Sequence, residues 1–128
     1  VAPALEAKGI SLIRLIAPTT HAQRLETVLE GTSGFVYYIA VKGITGTQQA
    51  DIDVLKSGIA ELRKKTTLPV AVGFGIKTAA DAAKYSKVAD SIVVGSALVD
   101  VIHKADNKAV DEAKNFVSQI AAAIRTAP

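Results

Sequence analysis

The sequence predicts an α/β domain of four β/α units around a parallel sheet, on the strength of three observations. Short apolar runs rich in β-branched residues alternate with longer stretches at helical spacing, the order that gives parallel strands joined by right-handed crossovers. The runs are apolar almost throughout instead of alternating with polar residues, as in strands covered on both faces. Three successive runs also end in glycine at the same place in each unit. Two architectures accommodate four such units: a small doubly wound sheet, or one half of a (β/α)8 barrel, which takes about 250 residues when whole. A length of 128 residues favours the small sheet, whereas the glycine pattern favours the half barrel.

In chain order, the opening PALEAKG reads as the tail of a helix ended by Gly9. Ser11 to Ala17 is the first strand. Thr20 to Glu30 follows as a helix, with Ala22, Leu25, Val28 and Leu29 at helical spacing behind a threonine suited to capping. Phe35 to Val41 is the second strand and KGITGTQQA a loop. The next helix, from about Asp51 to Lys65, places Ile52, Leu55, Ile59 and Leu62 on one face. Its terminal Arg63, Lys64 and Lys65 complement the negative end of the helix dipole. Pro69 leads the third strand, Val70 to Val72. Thr78 and Asp81 have capping-box spacing, with Asp in place of the usual Glu or Gln, for a helix reaching Ser86. Ser91 to Val94 is the fourth strand. A short helix from Ala97 to His103, polar KADNKA and a last helix from Val110 to Arg125 complete the chain.

This length supports one domain with a core of its own. A hydrophobic fraction of 49% and a charged fraction of 21% are those of a folded, water-soluble chain. No apolar run reaches the roughly 20 residues of a membrane helix, and VAPALEAKG lacks the basic-then-apolar build of a signal peptide. The absence of cysteine excludes disulfides and thiolate metal sites and suits a reducing cytoplasm. A net charge of +3 from scattered basic residues, with no aromatics interleaved for stacking, argues against a nucleic-acid partner. No methionine occurs, so Val1 is not a translational start, and the expectation is a fragment.

The glycines point to function. The second strand is followed by Gly43-Ile44-Thr45-Gly46, the third by Gly73-Phe74-Gly75 and the fourth by Gly95-Ser96. In a parallel sheet these ends all lie on the ligand-binding face. Glycine lets the backbone approach a ligand closely and turn its N–H groups outward. A short helix opening at Gly95-Ser96 aims its positive end at an anion. GFGIKT is not a dinucleotide fingerprint, because Lys77 or Thr78 stands where a third glycine is needed, and no Walker loop is present. A lone Gly-x-Gly after a strand reads as a plain turn; three glycine loops converging on one face read as a phosphate cradle.

The same residues carry a resemblance. Phe35-Val36-Tyr37-Tyr38, Gly43-Ile44-Thr45-Gly46, the run from Pro69 to Ile76, and Val93-Val94-Gly95-Ser96-Ala97-Leu98-Val99 resemble, in that order, the tryptophan synthase α subunit. Leu15 to Thr20 is similar to that family's fifth strand and its exit. The resemblance runs over essentially the whole chain and covers the second half of the family barrel, strands five to eight. It implies a parallel (β/α)4 half of a TIM (β/α)8 barrel, in the cytoplasm. The implied activity is a lyase of tryptophan biosynthesis, the retro-aldol cleavage of indole-3-glycerol phosphate to indole and glyceraldehyde 3-phosphate. It uses no cofactor or metal, and indole passes to a pyridoxal-phosphate-dependent β subunit. The resemblance places the substrate phosphate on Gly46, Phe74, Gly75, Gly95 and Ser96, and lines the substrate with Leu15, Tyr37 and Thr45. Thr45 matches the threonine of a mobile loop that helps hold the catalytic aspartate. The family often has an arginine near Val41; this chain has none there.

Family catalysis relies on a glutamate and an aspartate from the second strand and its loop, a region this sequence does not contain, so no catalytic residue is expected. Independently, the strand ends Ala17-Pro18, Val41-Lys42, Gly73 and Gly95 offer no carboxylate for general acid–base work. The expectation is a chain that holds phosphate and alone lacks the chemistry. The alternatives are a phosphate- or sugar-phosphate-binding module without catalysis, and an aldolase using Lys42 as a Schiff-base lysine. Activation of Lys42 needs burial or a neighbouring cation, and its flanks Val41 and Gly43 make a solvated lysine the expected reading. His21 and His103 have no third ligand near in sequence, so no metal site is expected. Asp90 precedes its strand and falls at the opposite, stability end of the sheet, and Asp51 and Asp53 favour the start of their helix. Tyr37 and Tyr38 point to opposite faces of their strand, and Tyr37 is expected to face the site. Two open sheet edges and an exposed apolar inner face predict a homo-oligomer, or a complex with the missing amino-terminal half.

Overall fold

The computed structural model describes residues 2–20, 22–39, 48–73 and 75–127, apart from the side chains of residues 22, 23 and 48–51. Its elements are α1 (Ala2–Glu6), β1 (Arg14–Ile16), α2 (Ala22–Leu29), β2 (Val36–Ile39), α3 (Gln48–Arg63), β3 (Val70–Gly73), α4 (Ala79–Ser86), β4 (Ser91–Val93), α5 (Ser96–Lys104) and α6 (Ala109–Thr126). A single 3-10 turn, Asp106–Lys108, joins the last two. The four strands form one sheet in the order β1-β2-β3-β4, with every neighbouring pair parallel. The expected four β/α units are therefore present.

Several boundaries differ from expectation, for local reasons. β1 begins at Arg14, not Ser11, because Leu12 bonds the loop before β2: its N–H donates to Ser33 Oγ at 3.0 Å and its carbonyl accepts from Ser33 N–H at 3.1 Å. The hydroxyl of Thr20 looks back along the chain, accepting from Ala17 N–H at 3.2 Å and closing the turn after β1. α3 begins at Gln48, earlier than Asp51, and ends at Arg63, with Lys64 and Lys65 in the following turn. All three basic residues of that stretch are ion-paired: Arg63 with Asp90, Lys64 with Glu61 and Lys65 with Glu26. α4 starts as expected. Thr78 Oγ1 accepts from Asp81 N–H and Asp81 Oδ2 accepts from Thr78 N–H, both at 3.1 Å, so aspartate completes the capping box.

The parallel register sorts the strand residues onto two faces. Ile16, Tyr38 and Val72, with Ile92, share a row on the helix-covered face, and Val36 and Val70 lie one step below. Against them pack Leu25 of α2, Leu55, Ile59 and Leu62 of α3, Ala82 and Tyr85 of α4 and Ile120 of α6. Val36, Val70 and Val72 are wholly buried, each contributing about 1.5–3 kcal/mol of hydrophobic stabilisation. Gly58 lets α3 come this close: a Cβ there would run into the Tyr38 hydroxyl and stand 3.0 Å from its Cζ. At the amino-terminal end of the sheet, Asp90 ties β3 to β4 by accepting from Val70 N–H at 2.8 Å and from Arg63 at 3.0 Å. The sequence placed Asp90 at this end.

The other face carries Leu15, Tyr37, Ala71 and Ser91 in one row and Ile39, Gly73 and Val93 in the next. Leu15 is 60% exposed, whereas Ile16 beside it is 3% exposed. The helices thus cover one side of the sheet, and the opposite face is open over β1.

Candidate functional site

The carboxyl ends of β3 and β4 meet at one level. Gly73 and Val93 are register partners, and Gly75 and Gly95 each stand two residues further along the chain. Gly75 has φ +79°, the left-handed conformation that glycine adopts without cost, and turns the chain sharply before buried Ile76. Gly95 is the N-cap of α5. Its carbonyl accepts from Leu98 N–H at 3.0 Å and Val99 N–H at 3.2 Å, and no side chain caps the helix. The N–H groups of Ser96 and Ala97 in the first turn therefore point past the helix end, where the positive end of the dipole lies. A Cβ built on Gly95 meets nothing within 4 Å. Among the described residues, no packing demands glycine there. Ser96 is exposed beside it.

Tyr37 forms the floor of this end on the inner face. Its phenol ring leans across Gly73: a Cβ on Gly73 would run into the Tyr37 hydroxyl, 2.6 Å from its Cζ and 3.0 Å from Val93 Cβ. Tyr38 points the other way, and burial pushes its hydroxyl pKa up. Tyr37 thus lies on the inner face and Tyr38 on the covered one. Leu15 stands on the same face in register with Tyr37, exposed to any occupant of that face. Of the site residues expected from sequence, Gly75 follows the carboxyl end of β3, Gly95 and Ser96 follow that of the adjacent β4, and Tyr37 and Leu15 are register partners on the inner face. Gly46, Thr45 and Phe74, together with Lys42 and His21, lie outside the described residues.

Ile39 and Val93 share the row of Gly73 on this face and were not singled out from sequence; the two-residue alternation from Tyr37 was the signal that could have found them. His103 is exposed in the last turn of α5, where a cation favours the dipole. Among the described residues, no group of three His, Asp or Glu side chains could hold a metal ion. No helix among them is long and apolar enough to cross a membrane. The described strand ends, Ala17-Pro18, Gly73 and Val94-Gly95, carry no carboxylate. The rim can bind an anion through backbone N–H groups, over an aromatic and aliphatic floor.

Residues 1–126 match the family model of the tryptophan synthase alpha chain. The tryptophan synthase alpha chain of Novosphingobium aromaticivorans is 50% identical over 125 residues, a match covering 98% of this chain and 47% of that protein. The alpha chain of Caulobacter sp. (strain K31) is 51% identical over 127 residues, covering 97% and 46%. Among solved structures, the tryptophan synthase subunit alpha from Campylobacter jejuni superposes with a TM-score of 0.84 at 32% identity, over 92% of this chain and 46% of that one. The subunit from Legionella pneumophila str. Paris gives 0.81 at 29% identity, over 98% and 46%. The chain thus spans about half the length of the curated relatives it matches. Its four β/α units superpose on about half of a TIM barrel, which decides between the two architectures in favour of the half barrel. The chain belongs to the tryptophan synthase alpha chain family.

Proposed function

We propose that this chain is the phosphate-holding, carboxyl-terminal half of an indole-3-glycerol-phosphate lyase, strands five to eight of the family barrel. Carrying this reading is the register of Gly73 with Val93, which sets the glycine-bearing ends of β3 and β4 at one level, and an α5 whose N-terminus no side chain caps. The substrate phosphate binds the N–H groups around Gly75, Gly95 and Ser96, and by family correspondence those around Gly46 and Phe74. The indole and glycerol portions lie over Tyr37 and Leu15, with Thr45 on the covering loop. Retro-aldol cleavage to indole and glyceraldehyde 3-phosphate needs a glutamate and an aspartate that the family keeps in its other half. The chain therefore binds and orients, and acquires catalysis only when a complementary half barrel joins it. In the complete family member, indole passes to the β subunit, in the cytoplasm. The open edges of β1 and β4 are where a complementary half, or a second copy, would add strands.

A second reading, a phosphate-binding module without chemistry, is favoured by the absence of carboxylates from the described strand ends. One experiment separates the two. Titration with indole-3-glycerol phosphate, followed by amide shifts at Gly75, Gly95 and Ser96, tests the site. Indole release is then assayed with this chain alone and with it co-expressed beside the remainder of a relative's barrel. Release only in the co-expressed complex supports the lyase half. Binding without release in either supports the module, and no shift at these three residues refutes both. Borohydride trapping with an aldehyde substrate addresses the Lys42 aldolase, which no adduct at Lys42 would dismiss.

A further inference from the structure

The helices over the covered face leave a crevice around α4. This helix has 8 residues, against 16 in α3 and 18 in α6. At 1.5 Å per residue it is about 12 Å long, between helices of about 24 and 27 Å. Among the described residues it packs broadly against α6 and only sparsely against α3. The crevice holds about 790 Å³, inside the range of about 300–1,000 Å³ typical of small-molecule sites. Its floor is apolar and low: Ala79, Ala80 and Ala83 of α4, with Ala123 of α6, present nothing larger than a methyl group. Ala82 and Tyr85, on the other flank of α4, fill the core instead.

Four charged side chains line this crevice. Asp53 and Lys84 each hold an interaction within the chain. Lys56 of α3 and Lys87 at the end of α4 are exposed and have no ion pair among the described residues. Arg63, Lys64 and Lys65, by contrast, each meet a carboxylate. Two uncompensated ammonium groups therefore stand over an alanine floor. A bare anion would leave that floor wet, and a wholly apolar molecule would crowd the ammonium groups without pairing them. A molecule with an anionic head and an apolar body satisfies both. The geometry points to a second binding site, between α3 and α4, for an organic carboxylate with an alkyl or aromatic body. Lys56 and Lys87 supply its counter-charge, and Ala80 and Ala83 let its body approach the α4 backbone closely. The site lies in the helical layer, on the opposite side of the sheet from Leu15 and Tyr37, and does not depend on the half-barrel reading.

The test titrates the chain with decanoate and, separately, with 2-naphthoate, followed by backbone amide shifts. Saturable shifts at Ala80, Ala83, Lys87 and Ala123 are expected with at least one of them, and which one binds tells an alkyl from an aromatic body. Decyltrimethylammonium, with the same chain and the opposite charge, is expected to leave these amides unmoved. Lys56→Gln and Lys87→Gln should each weaken binding about threefold and together about tenfold, and added salt should weaken it in the wild type. Ala80→Phe, at an exposed position of the floor, should fill the crevice and abolish the shifts, with the amides of Val36 and Val70 unchanged as the check on folding. The proposal is overturned if neither carboxylate moves these four amides, or if shifts appear only around Leu15. Equal binding of the cationic chain, or full affinity in the doubly substituted chain, overturns it as well.

Discussion

Gly73→Ala isolates the contact on which the inner face is built. An added Cβ would stand 2.6 Å from Tyr37 Cζ and 3.0 Å from Val93 Cβ, with the Tyr37 hydroxyl closer still. Val93 Cβ, at 3.0 Å, has to give only a few tenths of an ångström, whereas the tyrosine ring must swing off Gly73 or the β2–β3 ladder must open. Overpacking of this kind costs about 1–3 kcal/mol. For a chain of this size each kcal/mol lowers Tm by about 3–5 °C, so a drop on the order of 5–10 °C is expected for a 2 kcal/mol loss. Thermal and urea unfolding of the isolated chain measure it. The cause is tested by a double-mutant cycle with Tyr37→Ala: if the ring is the obstacle, Gly73→Ala costs less than about 0.5 kcal/mol once the ring is gone, a coupling of about 1 kcal/mol or more. Equal costs in both backgrounds, or a cost below about 0.5 kcal/mol in the wild type, would refute the assignment of Gly73 to the tyrosine.

Gly58→Ala meets the corresponding obstacle on the covered face. Although alanine is the better helix former by about 1 kcal/mol, the Tyr38 hydroxyl occupies the space, and a net destabilisation of about 1–2 kcal/mol is expected in urea unfolding. Gly95→Ala should do the reverse: with nothing within 4 Å of the new Cβ, stability is expected to change by less than about 1 kcal/mol, whereas affinity for inorganic phosphate by titration falls at least about tenfold, the 1.4 kcal/mol of one good anion contact. Asp90 governs acid sensitivity. The Val70 N–H, aided by the Arg63 guanidinium, holds its carboxyl below the usual carboxylate range. A depressed folded-state pKa means stabilisation that is complete above the unfolded value, near 4, and is lost as pH falls through the folded one. Its side chain is 46% exposed, so screening limits the contribution to about 1 kcal/mol. Asp90→Asn should lose about that much at pH 7 and show a shallower decline in stability between pH 5 and 2; parallel pH profiles would exclude the role.

The sequence made the elements legible wherever periodicity and punctuation agree. Thr78 and Asp81 announced α4 down to its cap, and the apolar runs at Val36 and Val70 announced strands because both require burial on the covered face. The strand ends were less legible. Ser11 to Ile13 are as apolar as a strand, yet a serine twenty-one residues away claims the backbone of Leu12, and no local pattern encodes a partner at that distance. The site was legible as a set of glycines but not in its division of labour. Gly73 and Gly95 look alike in sequence. Only the structure shows that one is required by a tyrosine of this chain and the other by nothing among the described residues.

That difference locates the boundary between fold and function on this half barrel. The covered face uses its residues for stability: Val36, Val70 and Val72 are wholly buried, and Gly58 is small because α3 must approach Tyr38. The inner face keeps Leu15 60% exposed, holds Tyr37 against Gly73, and ends in a helix N-terminus where no described atom lies within 4 Å of a Cβ on Gly95. Side chains left open in this way stabilise nothing until something covers them. A small anion at the proposed rim would leave Leu15 uncovered. The proposed ligand binding at the rim and the proposed association at the sheet edges therefore involve different residues, and Gly95→Ala should impair the first without touching the second.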